Sequence, residues 1–326
     1  MISAVMIWPL LKHPEDQVSQ SGTFLTEEYL GDGTQLILPI PTQLNLDEQK
    51  ILLGEKLFAD SRLSESGFSC ATCHHPANAG MDGLELSIIA SGGFDTKNTP
   101  TIFNSGFNAM QLWNGKAETL ESQLDLVIQN PNHMNSSWPA ILSRLQQDDS
   151  YIKSFNRSYS DGMNSKNIAN ALITYERSLT TPDSNFDRYL RGNETAITAD
   201  QIKGFQLFQD YGCISCHQGV NVGGNLFAKF GIFESHLSKK EILTKYDYGR
   251  FNYTQQSKDK FVFRVPSLRN VSQTAPYFHD GSVATLPDAI KIMAKVQLDI
   301  DLPDEDIHLI ESFLISLRGF YKGKML

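Results

Sequence analysis

The chain reads Cys70-Ala-Thr-Cys73-His74 in its first half and Cys213-Ile-Ser-Cys216-His217 in its second. Each stretch is a Cys-x-x-Cys pair followed directly by His, which is the spacing of covalent c-type haem attachment. The two thiols of such a motif join the haem vinyl groups, and the imidazole that follows binds the iron as proximal ligand. We therefore predict two c-type haems, one attached at Cys70 and Cys73 with His74 on its iron, the other attached at Cys213 and Cys216 with His217 on its iron.

Two other uses of paired cysteines agree less well with these segments. A thioredoxin-like redox pair does not explain a histidine after both copies. A zinc ribbon would place its pairs about 15–20 residues apart, whereas 139 residues separate Cys73 from Cys213. The two motifs use all four cysteines, so none is left for a disulfide.

The sequence around the two motifs repeats. Gly-x-x-Leu-Phe precedes both motifs, at 54–58 and 204–208, and similar segments begin at Pro100 and Pro266. Thirteen residues after these prolines come Trp113-Asn-Gly and His279-Asp-Gly. A Thr-Leu pair then opens a helix in each half. We predict a mainly α fold of two cytochrome c-like haem domains related by an internal repeat, at 45–185 and 186–326, after an N-terminal extension over 1–44.

Local signals predict where several elements begin. Asn45 with Glu48, and Thr198 with Gln201, have the spacing of helix N-terminal capping pairs. Amphipathic patterns predict closing helices at roughly 166–180 and 305–318, and a short strand at 261–265.

Composition limits the class further. The chain has 326 residues, of which 40% are hydrophobic and 20% charged, so it can bury real cores. Its net charge of −9 argues against nucleic acid as a partner. No apolar run reaches the roughly 18 residues of a membrane span. The apolar segment 2–11 is short and has no basic residue before it, so it is at most the remnant of a signal peptide or anchor.

The repeat predicts that the two irons differ. Seven residues after the leucine of the Thr-Leu pair stand Val127 in the first half and Met293 in the second. A thioether can fill the sixth position of a haem iron, and His/Met ligation raises its reduction potential, whereas valine cannot ligate. Met293 as gap-filling core is the alternative, but its place in a haem repeat favours ligation.

Taken together, the sequence resembles the bacterial dihaem cytochrome c peroxidase family over nearly all of 45–320. The segments that carry the resemblance are 98–104, 112–117, 120–123, 130–131, 219–224, 265–271 and 275–282. The resemblance implies reduction of hydrogen peroxide to water at the N-terminal haem. Electrons would come from a small periplasmic donor, a c-type cytochrome or a cupredoxin, through the C-terminal His/Met haem. It also implies a periplasmic location, and family members are often homodimers.

The resemblance assigns further residues. Trp113 matches a tryptophan between the haems, and Gln123 matches a polar residue over the peroxide site. An interhaem calcium ion would be bound by the side chain of Asn98 and the backbone carbonyls of Thr274 and Pro276. Amide and carbonyl oxygens are ligands that suit calcium.

Two positions depart from the family pattern. Typical members carry a histidine sixteen residues after the proximal one that caps the oxidised N-terminal iron, and here that residue is Ala90. We interpret this as loss of a gate, which leaves the iron open. Where typical members have a catalytic glutamate, this chain has His133, which can be an acid/base group, an iron ligand or an ordinary polar residue.

Two other functions stay open from sequence. The methylamine-utilisation dihaem enzyme, a relative, oxidises tryptophans on a partner protein and has an open N-terminal haem, but it carries a tyrosine where this chain has Met293. A non-catalytic dihaem electron carrier or sensor is the third interpretation. An unligated N-terminal iron argues against it, because electron carriers usually keep both axial positions filled.

Overall fold

The prediction of a mainly α fold is confirmed. The computed structural model describes residues 35–237 and 240–326. Its helices are α1 (Glu48–Phe58), α2 (Cys70–Cys73), α3 (Leu120–Gln129), α4 (Trp138–Leu145), α5 (Asp149–Ser158), α6 (Ser165–Ser178), α7 (Asn185–Leu190), α8 (Ala199–Asp210), α9 (Phe251–Thr254), α10 (Leu286–Leu298) and α11 (Asp304–Ser316). Its strands are β1 (Phe227–Lys229), β2 (Val262–Arg264), β3 (Phe320–Tyr321) and β4 (Lys324–Met325), which form the antiparallel pairs β1–β2 and β3–β4.

The first core forms where α1 crosses α6. Gly54 permits the close approach, because a Cβ there would lie 2.1 Å from the carbonyl oxygen of Ala171. Phe58 packs edge-on against Tyr175 with ring centres 5.3 Å apart. Leucine and isoleucine side chains of α3, α4 and α6 complete this cluster.

The second core has the same construction, with α8 against α11. A Cβ on Gly204 would lie 1.9 Å from the carbonyl oxygen of Leu309. Phe208 packs against Phe313 with ring centres 5.2 Å apart. In both halves a glycine in the repeated Gly-x-x-Leu-Phe segment therefore sets the distance between the two main helices.

The loops that follow the haem motifs also share their backbone geometry. Asn104 and Asn270 both have a left-handed backbone, with φ of 61° and 60°. The amide of Asn104 donates to the carbonyl of Leu179 after α6, and that of Asn270 to the carbonyl of Leu317 after α11. Thr181 joins the halves, because its hydroxyl accepts from both asparagine side chains, at 2.8 and 2.9 Å.

The two ends of the described chain each pack on the half that is more distant in sequence. Ile37 is 3% exposed within the second core, and the backbone amide of Ile40 donates to Asp187 of α7 at 3.1 Å. Tyr321 packs edge-on against Phe103 of the first core with ring centres 4.9 Å apart. Residues 36–40 thus pack on the second half and residues 320–326 on the first, an exchange that sequence reasoning did not anticipate.

Most predicted element boundaries agree with the structure to within two residues, but one predicted cap is wrong. The N-cap of α1 is Asp47 and not Asn45, because the Asp47 carboxylate accepts from the amides of Gln49 and Lys50. Thr198 caps α8 in a capping box with Gln201, as predicted. The strand expected at 261–265 is β2.

Two sequence predictions concern the N-terminus and membranes. The extension predicted over 1–44 lies largely outside the described residues, which begin at 35. Within the described ranges, no helix combines the length and the apolar character needed to cross a bilayer.

Candidate functional site

His74 follows α2 directly and is held in one tautomer. Its Nδ1 lies 3.3 Å from the carbonyl oxygen of Gly80. A carbonyl only accepts, so Nδ1 carries the proton and Nε2 keeps a lone pair. Burial lowers the pKa of His74, and the Gly80 carbonyl partly opposes this effect. The ring is therefore neutral at pH 7 and has a nitrogen available for a metal.

His217 occupies the matching place in the second half, after a 3₁₀ turn at Cys213–Ser215. Burial lowers the pKa of His217 to about 4, and the nearby carbonyls of Val222 and Pro266 oppose this only in part. Its Nδ1 is buried and has no hydrogen-bond partner among the described residues. This imidazole too is neutral at pH 7.

The four cysteines form no disulfide and are only partly exposed. Burial raises the pKa of all four thiols, to about 12 for Cys70 and to about 11 for Cys73 and Cys213. Thiols with raised pKa values are poor nucleophiles and poor redox groups at neutral pH. The raised pKa values argue against a redox pair.

Gln123 lies on α3 in the first half, and its side-chain oxygen is unsatisfied. Oε1 is buried and accepts no hydrogen bond from any described residue. Buried polar atoms are nearly always paired, so an unpaired one marks a place for a ligand or water. Gln123 is therefore placed to accept a hydrogen bond from a small molecule.

His133 lies in the turn after α3, and a lysine that sequence reasoning missed lies beside it. The Nζ of Lys97 is 3.5 Å from Nε2 of His133 and 3.4 Å from the Asp95 carboxylate. Burial and then the Lys97 charge lower the pKa of His133 to about 4. The Asp95 charge opposes them, and His74 adds a smaller lowering. No sequence signal links Lys97 to His133, because the pair lies 36 residues apart.

Ala90 lies in a loop that packs on the same turn. The loop closes through a bridge between Ile88 and Phe94, and the amide of Ala90 donates to the carbonyl of Asn132 at 2.9 Å. No histidine occurs between 87 and 95. The loop around position 90 thus contacts the His133 turn, and the side chain of Ala90 is a methyl group that cannot bind a metal.

Trp113 connects the two halves. Its indole Nε1 donates to the carbonyl of Asn98 at 3.0 Å, and its own carbonyl accepts from the amide of Arg264 at 2.9 Å. The side chain packs on a small apolar cluster that Met293 of α10 also contacts. That cluster consists of Phe230, Leu237, Phe263 and Val296.

Asn98 is 4% exposed and lies at the contact between the halves. Its amide nitrogen donates to the carbonyls of Leu84 and Glu85, at 2.9 and 3.3 Å, and its backbone amide donates to the carbonyl of His279. Its side-chain oxygen accepts no hydrogen bond from the described residues. That oxygen is therefore free for a cation, as a calcium ligand must be.

A second cluster of possible metal ligands already contains a cation. Asp247, His279 and Asp280 bring their side chains together in the described part of the chain. The Nζ of Lys240 lies 2.6 Å from Asp247 and 2.5 Å from Asp280, and His279 bonds Asp247 at 2.8 Å. Although burial raises the pKa of Asp247, the hydrogen bonds from His279 and Lys240 hold it well below its usual range. Lys240 thus satisfies the charge that a metal would otherwise neutralise.

Neutral imidazoles that each follow a Cys-x-x-Cys pair in a helical chain define a class, the cytochromes with covalently attached haem. Similarity to known proteins identifies the family within this class. The di-haem cytochrome c peroxidase family matches residues 48–195. The cytochrome c peroxidase Ccp of Escherichia coli is 44% identical over 291 residues, 89% of this chain and 62% of that protein. Cytochrome c551 peroxidase of Pseudomonas aeruginosa is 40% identical over 87% of this chain and 84% of that protein.

A solved structure with a similar fold supports the same assignment. The crystal structure of a MauG-like protein associated with microbial copper homeostasis superimposes with a TM-score of 0.73 at 28% identity, over 87% of this chain and 93% of that one. The chain belongs to the di-haem cytochrome c peroxidase family. The predicted family and the predicted enzyme class, a peroxidase, are confirmed, and two c-type haems follow from membership.

Proposed function

We propose that this chain reduces hydrogen peroxide to water at a haem in its first half, in the periplasm. Electrons enter from a small donor protein, a c-type cytochrome or a cupredoxin, through a His/Met haem in the second half. One observation carries the proposal. Helices α3 and α10 begin with equivalent threonine N-caps, Thr119 and Thr285, yet Val127 stands in α3 where Met293 stands in α10. Only the thioether can close an iron position.

The proposal includes two cytochrome c-like domains, 45–185 and 186–326, related by a repeat. Matched helix crossings at Gly54 and Gly204 support it, as do matched left-handed residues at Asn104 and Asn270. Left-handed φ values of 68° at Leu112 and 69° at Phe278 extend the match to the loops before α3 and α10. In this arrangement, segment 36–40 packs on the core of the second domain and segment 320–326 packs on the core of the first.

Gln123 and His133 are the groups that act on peroxide in this proposal. A haem held by Cys70, Cys73 and His74 would supply an iron able to bind and reduce peroxide. Gln123 Oε1 accepts a hydrogen bond from the peroxide O–H and so orients it. Because its pKa is near 4, His133 is neutral at pH 7 and can accept a proton from one oxygen and return it to the other. The positive charge of Lys97, 3.5 Å from Nε2, favours the neutral form of His133.

Trp113 is proposed as the electron path between the halves. Its indole is fixed by the Asn98 carbonyl of the first half and packs on the cluster that Met293 contacts in the second. An aromatic group bound to both sides gives a fixed route across the junction.

A calcium ion at the junction is part of the proposal. The unpaired Asn98 side-chain oxygen supports it, and the carbonyl oxygens of Thr274 and Pro276 would be its further ligands. Gly281 brings the segment that follows Pro276 against Glu85, since a Cβ there would lie 2.3 Å from the Glu85 carbonyl oxygen. Such an ion would hold the two halves in one arrangement.

Ala90 leaves room for a second candidate function, oxidation of a partner protein as in the methylamine-utilisation enzyme. An open iron is compatible with both reactions. Met293 favours the first, since that enzyme carries a tyrosine at this place. Turnover with a reduced small cytochrome, compared with modification of a co-expressed partner protein, separates the two.

The testing experiment uses the fully oxidised holoprotein. We expect its electron paramagnetic resonance spectrum to contain one high-spin and one low-spin ferric haem. On mixing with peroxide it should react at once, without prior reduction, because position 90 has no ligand to withdraw. Two low-spin signals, with a lag that only one-electron reduction removes, would show that another group such as His133 caps the iron.

A further inference from the structure

Arg264 is a buried cation without an anion. Its side chain belongs to a residue only 6% exposed, and it donates from Nε to the Leu112 carbonyl at 3.2 Å and from Nη1 to Oδ1 of Asn108 at 3.3 Å. No described carboxylate forms an ion pair with it. Burial lowers its pKa to about 10, so it remains charged at neutral pH. Buried charges in proteins are paired or bind a ligand of opposite charge.

A second arginine approaches the same place with an unsatisfied nitrogen. Nη1 of Arg250 is buried and has no hydrogen-bond partner among the described residues. Its guanidinium stacks on Phe227 at 4.3 Å, and Phe227 is the cross-strand partner of Arg264. The nearest carboxylate, Asp259, is 4.0 Å from Nε. A Cβ on Gly115 would lie 3.4 Å from Nη1, which places this nitrogen at the Trp113 loop that Arg264 also contacts.

Arg264 also lies close to the second haem motif. Pro266, two residues on, has its carbonyl oxygen 2.2 Å from where a Cβ on Gly223 would stand, and that point is 3.4 Å from Nδ1 of His217. The next glycine, Gly224, would place a Cβ 2.2 Å from Oδ1 of Asn108, the acceptor of Arg264. The guanidinium of Arg264, which has no anionic partner among the described residues, therefore lies near the segment that packs beside His217.

We propose that Arg264, assisted by Arg250, binds a propionate of the haem attached at Cys213 and Cys216. Thioether attachment uses the vinyl edge, so the propionates are the ionised groups left to recognise. A planar guanidinium matches a carboxylate with two parallel hydrogen bonds. The inference rests on the proposed assignment of the second haem to His217 and Met293.

The consequence is electrostatic. Reduction adds an electron to the haem, and a positive charge beside its propionate favours that addition. Arg264 is thus a positioning residue that raises the reduction potential of the electron-accepting haem, and it does not touch peroxide.

The test compares Arg264→Gln and Arg264→Lys with the control Arg188→Gln, which removes a surface arginine already paired with Asp183. Separate redox titrations of the two haems give the main readout, and the propionate-bending band in resonance Raman spectra gives a second. We expect Arg264→Gln to lower the potential of the second haem and shift its band, Lys to restore most of both, and the control to change neither. Unchanged values with both haems retained, or a shift confined to the first haem, would overturn the proposal.

Arg250→Gln provides an independent variant, because its guanidinium is partly exposed and less needed for folding. If Arg264→Gln does not fold, a lowered second-haem potential in Arg250→Gln supports the site and an unchanged one overturns it. The wild-type methionine–iron charge-transfer band tests the underlying assignment separately. Its absence contradicts the proposed His/Met haem, whereas the propionate band still decides the role of Arg264.

Discussion

His133 is a largely buried histidine that lies beside a lysine. A carboxylate there would be charged at neutral pH, whereas the buried imidazole beside Lys97 is neutral, with its pKa lowered to about 4. Both are proton acceptors, but only the imidazole stays uncharged next to the proposed peroxide site. The environment of His133 therefore keeps an uncharged base at this position at neutral pH.

The role of His133 can be tested through pH. Because burial and Lys97 depress the pKa, the base is in its neutral form above about pH 4. We expect the rate of reaction with peroxide to be flat from about pH 5.5 to 8 and to fall as His133 is protonated near pH 4. Lys97→Gln removes one cause and should move this fall upward, toward the ordinary histidine value of 6.5. Stopped-flow rates across pH measure it, with exposed Lys153→Gln as control, and an unmoved break would contradict the role.

Trp113 allows a second test at the scale of one side chain. Trp113→Phe keeps most of the apolar contact but removes the hydrogen bond to Asn98 and the indole itself. We expect unchanged haem spectra and steady-state turnover slower by about tenfold or more, since one factor of ten corresponds to about 1.4 kcal/mol in the barrier. Trp138→Phe, which loses a bond to Asp125 in the first half, is the matched control. Full activity of Trp113→Phe would leave the residue a packing role alone.

At the scale of elements, α3 and α10 begin in the same way but carry different residues at the same position. Both are capped by threonine, and both bury the leucine that follows it. Val127 of α3 packs against the first core, whereas Met293 of α10 packs against the cluster shared with Trp113. The two helices thus present different chemistry at one register position.

Met293→Leu tests that difference with little change of volume. Loss of the sulfur should lower the reduction potential of the second haem and abolish electron delivery, while binding of peroxide in the first half remains. Redox titration and donor turnover are the measurements. Ile292→Leu, the neighbour that packs on the same cluster, should change neither. A normal titration in Met293→Leu would exclude Met293 as the ligand.

Sequence reasoning predicted those features that depend on local pattern. Short stretches of sequence are enough to predict three of them, and the structure contains all three. They are the Thr198 cap, the helices that begin near 166 and 305, and the paired glycine segments. The Asn45 cap was wrong because Asp47 offers a carboxylate two residues later. The contact between Lys97 and His133 could not be predicted, since it depends on how the 87–97 loop meets the turn after α3.

On the scale of the whole molecule, specific hydrogen bonds and terminal segments join the two halves. Thr181 bonds both Asn104 and Asn270, and a Cβ on Gly319 would lie 2.0 Å from the Thr181 carbonyl oxygen. The exchanged segments 36–40 and 320–326 connect each half to the core of the other. We infer that neither half reaches its full stability alone.

Tyr321→Ala tests this reciprocal packing. The ring packs on Phe103 of the first core and is only partly buried. We therefore expect a loss of about 2 kcal/mol, below the roughly 3–5 kcal/mol of a fully buried aromatic residue. The loss should fall on the first half, seen as earlier thermal loss of its haem signal. Met325→Ala, at a site 45% exposed, is the control. Equal destabilisation of both haem signals would argue against a local contribution to the first core.

The exchange of terminal segments has a consequence for biosynthesis. Synthesis from the N-terminus produces 70–74 long before residues 320–326 exist, so the contacts of the first core with Tyr321 and Leu326 form only after the last strands are made. Haem can be attached during this interval, while the thiols that burial later shields are still reachable. The final hairpin of β3 and β4 then closes the half that was started first. The order of synthesis thus separates maturation of the cofactor from completion of the fold.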